Sequence, residues 1–204
     1  MLAGLPLRSD VARGSIDAAA DWGKARSAAK MRLGFPVEAP LVVIMGGSQG
    51  SVAINAVIAD SVSIFNGKGI SVLHSVGKFN ALPQASGGYK PVAYVDAMAD
   101  AYLAADLIIA RSGAVTCSEF RALGRYALFV PLPIGNGEQF LNAASLVEAG
   151  RAQVITQKEF TPQFISTKIS SLLDQASRAP LAGDSQDLHA AAKIVALTEF
   201  AMKR

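Results

Sequence analysis

Three segments rich in glycine, hydroxyl and amide residues hold the side-chain types from which a site could be built. The first, Gly46-Gly47-Ser48-Gln49-Gly50, lies between the apolar run Leu41–Met45 and an amphipathic stretch, Val52–Phe65. Glycines at a strand-to-helix turn let backbone N–H groups approach an anion, and the helix dipole adds positive potential, so a phosphate is the natural guest. The second segment, Arg111-Ser112-Gly113-Ala114-Val115-Thr116-Cys117-Ser118-Glu119, places small residues at a helix start beside a guanidinium. The third runs from Pro131 to Ala143, where Asn136, Glu138, Gln139 and Asn142 offer amide and carboxylate groups suited to sugar hydroxyls.

Each segment has a rival reading. Gly46-x-Ser48-x-Gly50 also matches the nucleophile elbow of a serine hydrolase. That chemistry needs a histidine base, and the chain has two histidines, His74 inside a strand-like run and His189 in the closing helical segment. The hydrolase is therefore the alternative. The first loop is neither G-x-G-x-x-G nor a P-loop, and Val76-Gly77-Lys78 ends the next apolar run without a ribose-binding acid, which disfavours nicotinamide dinucleotides. Thr116-x-x-Glu119 has the spacing of a capping box, and spacing alone favours that role. The third segment also reads as an ordinary polar turn and helix start. Cys117 reads as a small buried apolar residue. With no Asp-x-Asp pair and two distant histidines, no metal site is expected, and a bound diphosphate would be neutralised by backbone donors and arginine with no obligatory cofactor.

The elements that must carry these loops follow from hydropathy. The chain has 204 residues, 51% hydrophobic and 17% charged, enough for a sizeable core and too little charge for disorder. Short β-branched runs alternate with amphipathic segments, which implies parallel strands with crossover helices. Strands are expected at Leu41–Met45, Ile70–Val76, Val92–Val95, Leu107–Ala110, Ala127–Val130 and Gln153–Ile155. Helices are expected over Ile16–Leu33, over Val52–Phe65, from an Asp96 cap to Ala104, after a Thr161 cap with Pro162, and over Ser185–Lys203. Residues 1–40 read as a helical segment and linker, and 41–204 as one α/β domain with a Rossmann-like six-stranded parallel sheet and helices on both faces. Such a sheet binds ligands at the carboxyl ends of its strands, where the three segments fall. One cysteine fits a reducing compartment, and no stretch is long and apolar enough for a spanning helix. The net charge of +3 comes without a basic stripe bearing aromatics, so nucleic acid is not an expected partner.

The order of Gly4–Asp10, Gly46–Gly50 with Asn55, His74–Lys78, Tyr94–Met98, Arg111–Glu119 and Pro131–Ala143 resembles the C-terminal, donor-binding half of the MurG family of inverting GT-B glycosyltransferases. The resemblance spans nearly the whole chain. It implies a UDP-GlcNAc donor and transfer of GlcNAc to lipid I, giving lipid II, in peptidoglycan synthesis, cell-wall biogenesis, and hence cell shape and division. Carried over by position, Val95 and Met98 are the uracil-side contacts and Glu119 the acceptor of the ribose hydroxyls. Ser48 with Gln49 and its loop, the backbone of Ala114, Val115 and Thr116, and Arg8 form the diphosphate cradle, while Gln139, with Glu138 and Asn142, reads the sugar. Glu138 stands where many members have glutamine, and Tyr126 where proline is common. The resemblance further implies that the acceptor, the general base and the membrane contact belong to an N-terminal domain that this chain lacks. The fragment is expected to bind donor with little turnover and the whole enzyme to be cytoplasmic, peripheral on the inner face of the cell membrane.

Overall fold

A computed structural model describes residues 4–134, 136–179, 183–184 and 187–202. Six strands form one sheet: β1 (Leu41–Met45), β2 (Ser71–Ser75), β3 (Tyr89–Val92), β4 (Leu107–Ala110), β5 (Ala127–Phe129) and β6 (Ala152–Val154). Their order is β3-β2-β1-β4-β5-β6, and every neighbouring pair is parallel. The helices are α1 (Ser9–Ala20), α2 (Trp22–Leu33), α3 (Val52–Gly67), α4 (Met98–Ala104), α5 (Ala114–Leu123), α6 (Glu138–Glu148), α7 (Pro162–Arg178) and α8 (Ala190–Met202).

Strands covered on both faces favour near-continuous apolar runs, and β1, Leu-Val-Val-Ile-Met, is buried throughout. Its alternate residues feed two cores. Leu41, Val43 and Met45 join Val11, Leu103, Phe120 and Leu146 on the side covered by α1, α2, α4, α5 and α6. Val42 and Ile44 join Ile54, Ile58, Phe65, Ile165 and Leu172 under α3 and α7. The sheet is thus helix-covered on both faces, as expected.

Several boundaries differ from the sequence reading. The stretch expected as one helix over Ile16–Leu33 is two, because Asp21 takes an extended conformation and its side chain accepts the Lys24 N–H to start α2. The third strand is Tyr89–Val92, not Val92–Val95. Pro91 within it has no N–H, which an edge strand paired only with β2 tolerates. Asp96 does not cap α4; Ala97 takes that position with no side-chain bond. Thr161 does cap α7, accepting from Phe164 N at 3.1 Å ahead of Pro162. The closing helix runs Ala190–Met202, and residues 185, 186 and 203 of its expected span lie outside the described set. Before it, Asp187 accepts from Leu5 N and from the Ser118 hydroxyl, tying the two ends of the chain to α5.

Candidate functional site

The strand order changes direction between β1 and β4, so the loops leaving those two strands diverge and open a crevice. The loop after β1 is the glycine turn. Gly47 has φ 92°, a conformation that side chains resist, and a Cβ on Gly50 would lie 1.9 Å from the Val76 carbonyl oxygen. A second loop braces the turn from outside: Asn80 Nδ2 donates to the carbonyls of Gln49 and Val76, both at 2.8 Å. Asn55 on α3 donates to that same Val76 carbonyl at 2.8 Å. Its Oδ1 meets His74 Nε2 at 3.1 Å, and His74 Nδ1 meets the Tyr89 hydroxyl at 2.9 Å.

This network withdraws His74 as the base of a serine hydrolase, and His189, in the turn ahead of α8, does not line the cavity that holds Ser48. His74 is fully buried with both ring nitrogens engaged, and burial lowers its pKa to about 4. No described residue other than glycine has positive φ, so Ser48 lacks the strained backbone of a nucleophile elbow. Cys117 is equally inert: it is buried, and its thiol is pushed up to about 11 by burial.

Across the crevice, Arg111 follows β4 and is 8% exposed. Its Nη1 donates to the carbonyls of Val130 and Pro131, both at 2.8 Å; its Nη2 donates to Ser51 Oγ at 2.8 Å and Gln157 Oε1 at 2.6 Å. One guanidinium therefore fixes the loops after β1, β4, β5 and β6 together, and every one of these partners is neutral. Burial lowers its pKa from the ordinary arginine value. Next, α5 begins behind Gly113, which has no side chain to cap the helix. The first-turn N–H groups, from Ala114 to Thr116, are left for a ligand or solvent.

Because Gly113 is the N-cap, Glu119 lies one turn too deep for a capping box with Thr116, and that reading is corrected. Glu119 is instead fully buried. Arg8 grips it with Nε on Oε1 and Nη2 on Oε2, each at 2.8 Å, and the Tyr102 hydroxyl donates to Oε2 at 2.8 Å. The pair raises the Arg8 pKa, chiefly through the hydrogen bond to Glu119, and burial raises that of Tyr102. Arg8, expected beside the diphosphate, is docked on this carboxylate in the structure.

A cavity of about 550 Å³ fills the crevice, walled by residues 46–53, Arg111, Gly113, Thr116, Leu132 and Gln139. It brings together Ser48, Gln49, Thr116 and Gln139 of the expected site. Ala114 and Val115 are exposed on the same first turn of α5. Gln139 Oε1 accepts from Leu132 N at 3.0 Å. Asn142 is not in the wall: its Nδ2 donates to the Ser112 carbonyl at 3.1 Å, anchoring α6 to the loop after β4. Glu138 is exposed at the start of α6. Val95 and Met98 are 5% and 7% exposed, are packed in the core and lie outside the cavity wall, while Asp96 and Ala97 between them are exposed. Ser51 and Tyr102 were missed from sequence. A serine just before an apolar helical run is a legible cap signal, whereas nothing local marks Tyr102 as a partner for residue 119. Among the described residues no cluster of three or more His, Cys, Asp or Glu could hold a metal ion.

A parallel sheet in this order, with two amide-bearing turns walling one cavity at its switch point, is the C-terminal half of a GT-B glycosyltransferase in architecture. The chain belongs to the glycosyltransferase family 28 C-terminal domain family, whose model matches residues 41–197. It is 42% identical over 170 residues to a UDP-N-acetylglucosamine–N-acetylmuramyl-(pentapeptide) pyrophosphoryl-undecaprenol N-acetylglucosamine transferase of Corynebacterium efficiens, covering 83% of this chain and 46% of that protein. Among solved structures, MurG of Acinetobacter baumannii aligns with TM-score 0.61 and 26% identity over 74% of this chain and 48% of its own. The calicheamicin glycosyltransferase CalG4 shares the fold with TM-score 0.60 at 15% identity, over 81% and 43% of the two chains. The chain spans about half the length of the curated relatives it matches.

Proposed function

We propose that this chain binds UDP-GlcNAc and serves as the donor half of a transferase that moves GlcNAc onto lipid I to form lipid II. The observation that carries this reading is the meeting of the glycine turn after β1 and the uncapped start of α5 in one cavity rimmed by Gln139. Backbone amides and two helix N-termini receive the diphosphate there, with the buried charge of Arg111 behind them. Gln139 reads the sugar, with Asn142 and Glu138 on the same helix supporting or extending that contact. The backbone at Val95 to Met98 meets uracil, and Glu119 takes the ribose hydroxyls once Arg8 yields the carboxylate to them and turns to the diphosphate.

In the reaction, the acceptor's 4-hydroxyl attacks the anomeric carbon in line, and the C1–O bond to the diphosphate breaks. Negative charge grows on the departing UDP, where prearranged amides stabilise it without reorganising. The proton of the attacking hydroxyl passes to a general base supplied by the acceptor-binding half of the enzyme. The diphosphate's charge falls to amides and arginine, so no cation is required. No helix among the described residues is long and apolar enough to cross a membrane. The reading places the protein in the cytoplasm, with membrane contact through the acceptor-binding half.

Calorimetry with UDP-GlcNAc, UDP and a GDP-sugar tests the donor assignment. Uridine nucleotides bind and the GDP-sugar does not; silence of every uridine ligand at millimolar concentration overturns the proposal.

A further inference from the structure

The opposite end of the sheet holds a second concentration of charge. Residues 105–106 lead into β4 and residues 124–126 lead into β5, so they lie at the amino ends of those strands. At about 3.3 Å per residue, four-residue β4 sets them roughly 13 Å from the cavity described above. A hollow of about 160 Å³ opens there, its wall including Trp22, Arg26, Asp106, Arg125 and Ser177.

Arg125 is 5% exposed and lies 3.5 Å from the centroid of the Trp22 ring. Guanidinium offers five donors. Two contacts are made, Nη1 to the Ala105 carbonyl and Nη2 to the Gly124 carbonyl, each long at 3.3 Å. Nε is buried with no partner. Leaving a buried donor unmade is costly, and more so on a charged group. Burial foremost, with repulsion from Arg26 and Arg151, lowers the Arg125 pKa to about 9 against the pull of Asp106, which leaves it a cation at neutral pH.

The nearby carboxylate is already spent. Asp106 Oδ1 accepts from Arg26 at 2.8 Å, and Oδ2 accepts from both Lys30 Nζ and Leu41 N at 2.8 Å. Glu38 is exposed and adds only a pull on Lys30. Three cations thus share one saturated acid, and one of them carries unmet donors beside an open hollow. Unpaired buried charge of this kind calls for a counter-ion.

We infer that this hollow is a second ligand site, independent of the donor cavity, which takes a compact oxyanion of the phosphate class on Arg125 beside Trp22. The site needs an acceptor-rich anion small enough for the hollow, which phosphate supplies as a free ion or as a phosphomonoester headgroup.

Trp22 is the chain's single tryptophan, so its emission reports on this hollow directly. Inorganic phosphate titrated into the full chain at constant ionic strength, with and without saturating UDP, gives a saturable change in Trp22 emission that UDP leaves unaltered. Chloride at the same ionic strength gives none. Arg125→Gln loses the response. Arg125→Lys, which keeps the charge and discards the fork, weakens it by about tenfold or more. Ser177→Asp, at an exposed position on the wall, adds a competing carboxylate and abolishes the response even if the Arg125 variants fail to fold. Vesicles of phosphatidic acid against phosphatidylcholine separate the sources: a response at lower phosphate with phosphatidic acid assigns a headgroup, and a response to the soluble ion alone assigns free phosphate. The inference is overturned if phosphate leaves the emission of the native chain unchanged, if UDP removes the response, or if a folded Arg125→Gln or Ser177→Asp protein responds like the native one.

Discussion

Glu119 and Arg8 are 111 residues apart in sequence and 2.8 Å apart in space, and the chemistry assigned to each depends on the other. A buried carboxylate needs partners; Arg8 and Tyr102 supply them here, and in the proposed donor complex ribose hydroxyls would take their place. Glu119→Gln keeps the shape and removes the charge. Bonds to a charged group are worth about 1.5–3 kcal/mol, so calorimetry should show UDP affinity falling by about tenfold or more, alongside a lower melting temperature. A variant that melts earlier yet binds UDP as before would remove Glu119 from the ribose contact. His74 supports a pH prediction at the same scale. Its pKa falls from 6.5 in the unfolded chain to about 4 in the fold, so the unfolded state binds the proton first as pH drops. The stability it contributes is complete above about pH 6.5 and is lost progressively toward pH 4, at up to roughly 1.4 kcal/mol per pH unit. Urea midpoints measured from pH 7 to 5 should fall in the native chain and flatten in His74→Gln; parallel curves would show that His74 does not titrate on unfolding.

At the level of elements, the site rests on a helix that begins without a cap. Gly113 already has the extended backbone of an N-cap, φ −65° and ψ 150°, and a Cβ there would meet nothing within 4 Å. Gly113→Asp therefore supplies a capping carboxylate, stabilising α5 by a few tenths to about 1 kcal/mol. The same carboxylate takes the amides and the positive potential that a phosphate would use. The expected result is a raised melting temperature with UDP affinity lowered by tenfold or more; a gain in stability with undiminished affinity would contradict the assignment of α5 to the diphosphate. The strands that set these turns were legible because β1 and β4 are apolar at every position, and Gly46–Gly50 announces its turn by composition. The break at Asp21 was not, since helical periodicity runs on across it in Ala18, Trp22 and Ala25. The register of β3 was hidden for a related reason: Val92–Val95 is the more apolar run, while burial of Tyr89 against His74 decides which residues pair. Capping spacing at Thr116 and Glu119 misled because a chain-distant arginine, invisible to any local window, claims the acid.

For the whole molecule, the sheet order does what no single residue could. It brings turns separated by more than sixty residues, Gly46–Gly50 and Arg111–Thr116, to opposite walls of one cavity and leaves the other end of the sheet to a separate cluster of charge. The relatives it matches are about twice as long, and the proposed donor site can be tested on this chain by binding alone. A crystal of this chain soaked with UDP-GlcNAc in the presence of EDTA tests the central claim most directly. The account predicts the diphosphate within hydrogen-bonding distance of backbone amides in both turns, uridine over the Glu119 side and GlcNAc toward Gln139, with no cation bridging the phosphates. Nucleotide bound elsewhere on the molecule, or bound in this cavity only when a divalent cation is restored, would contradict it.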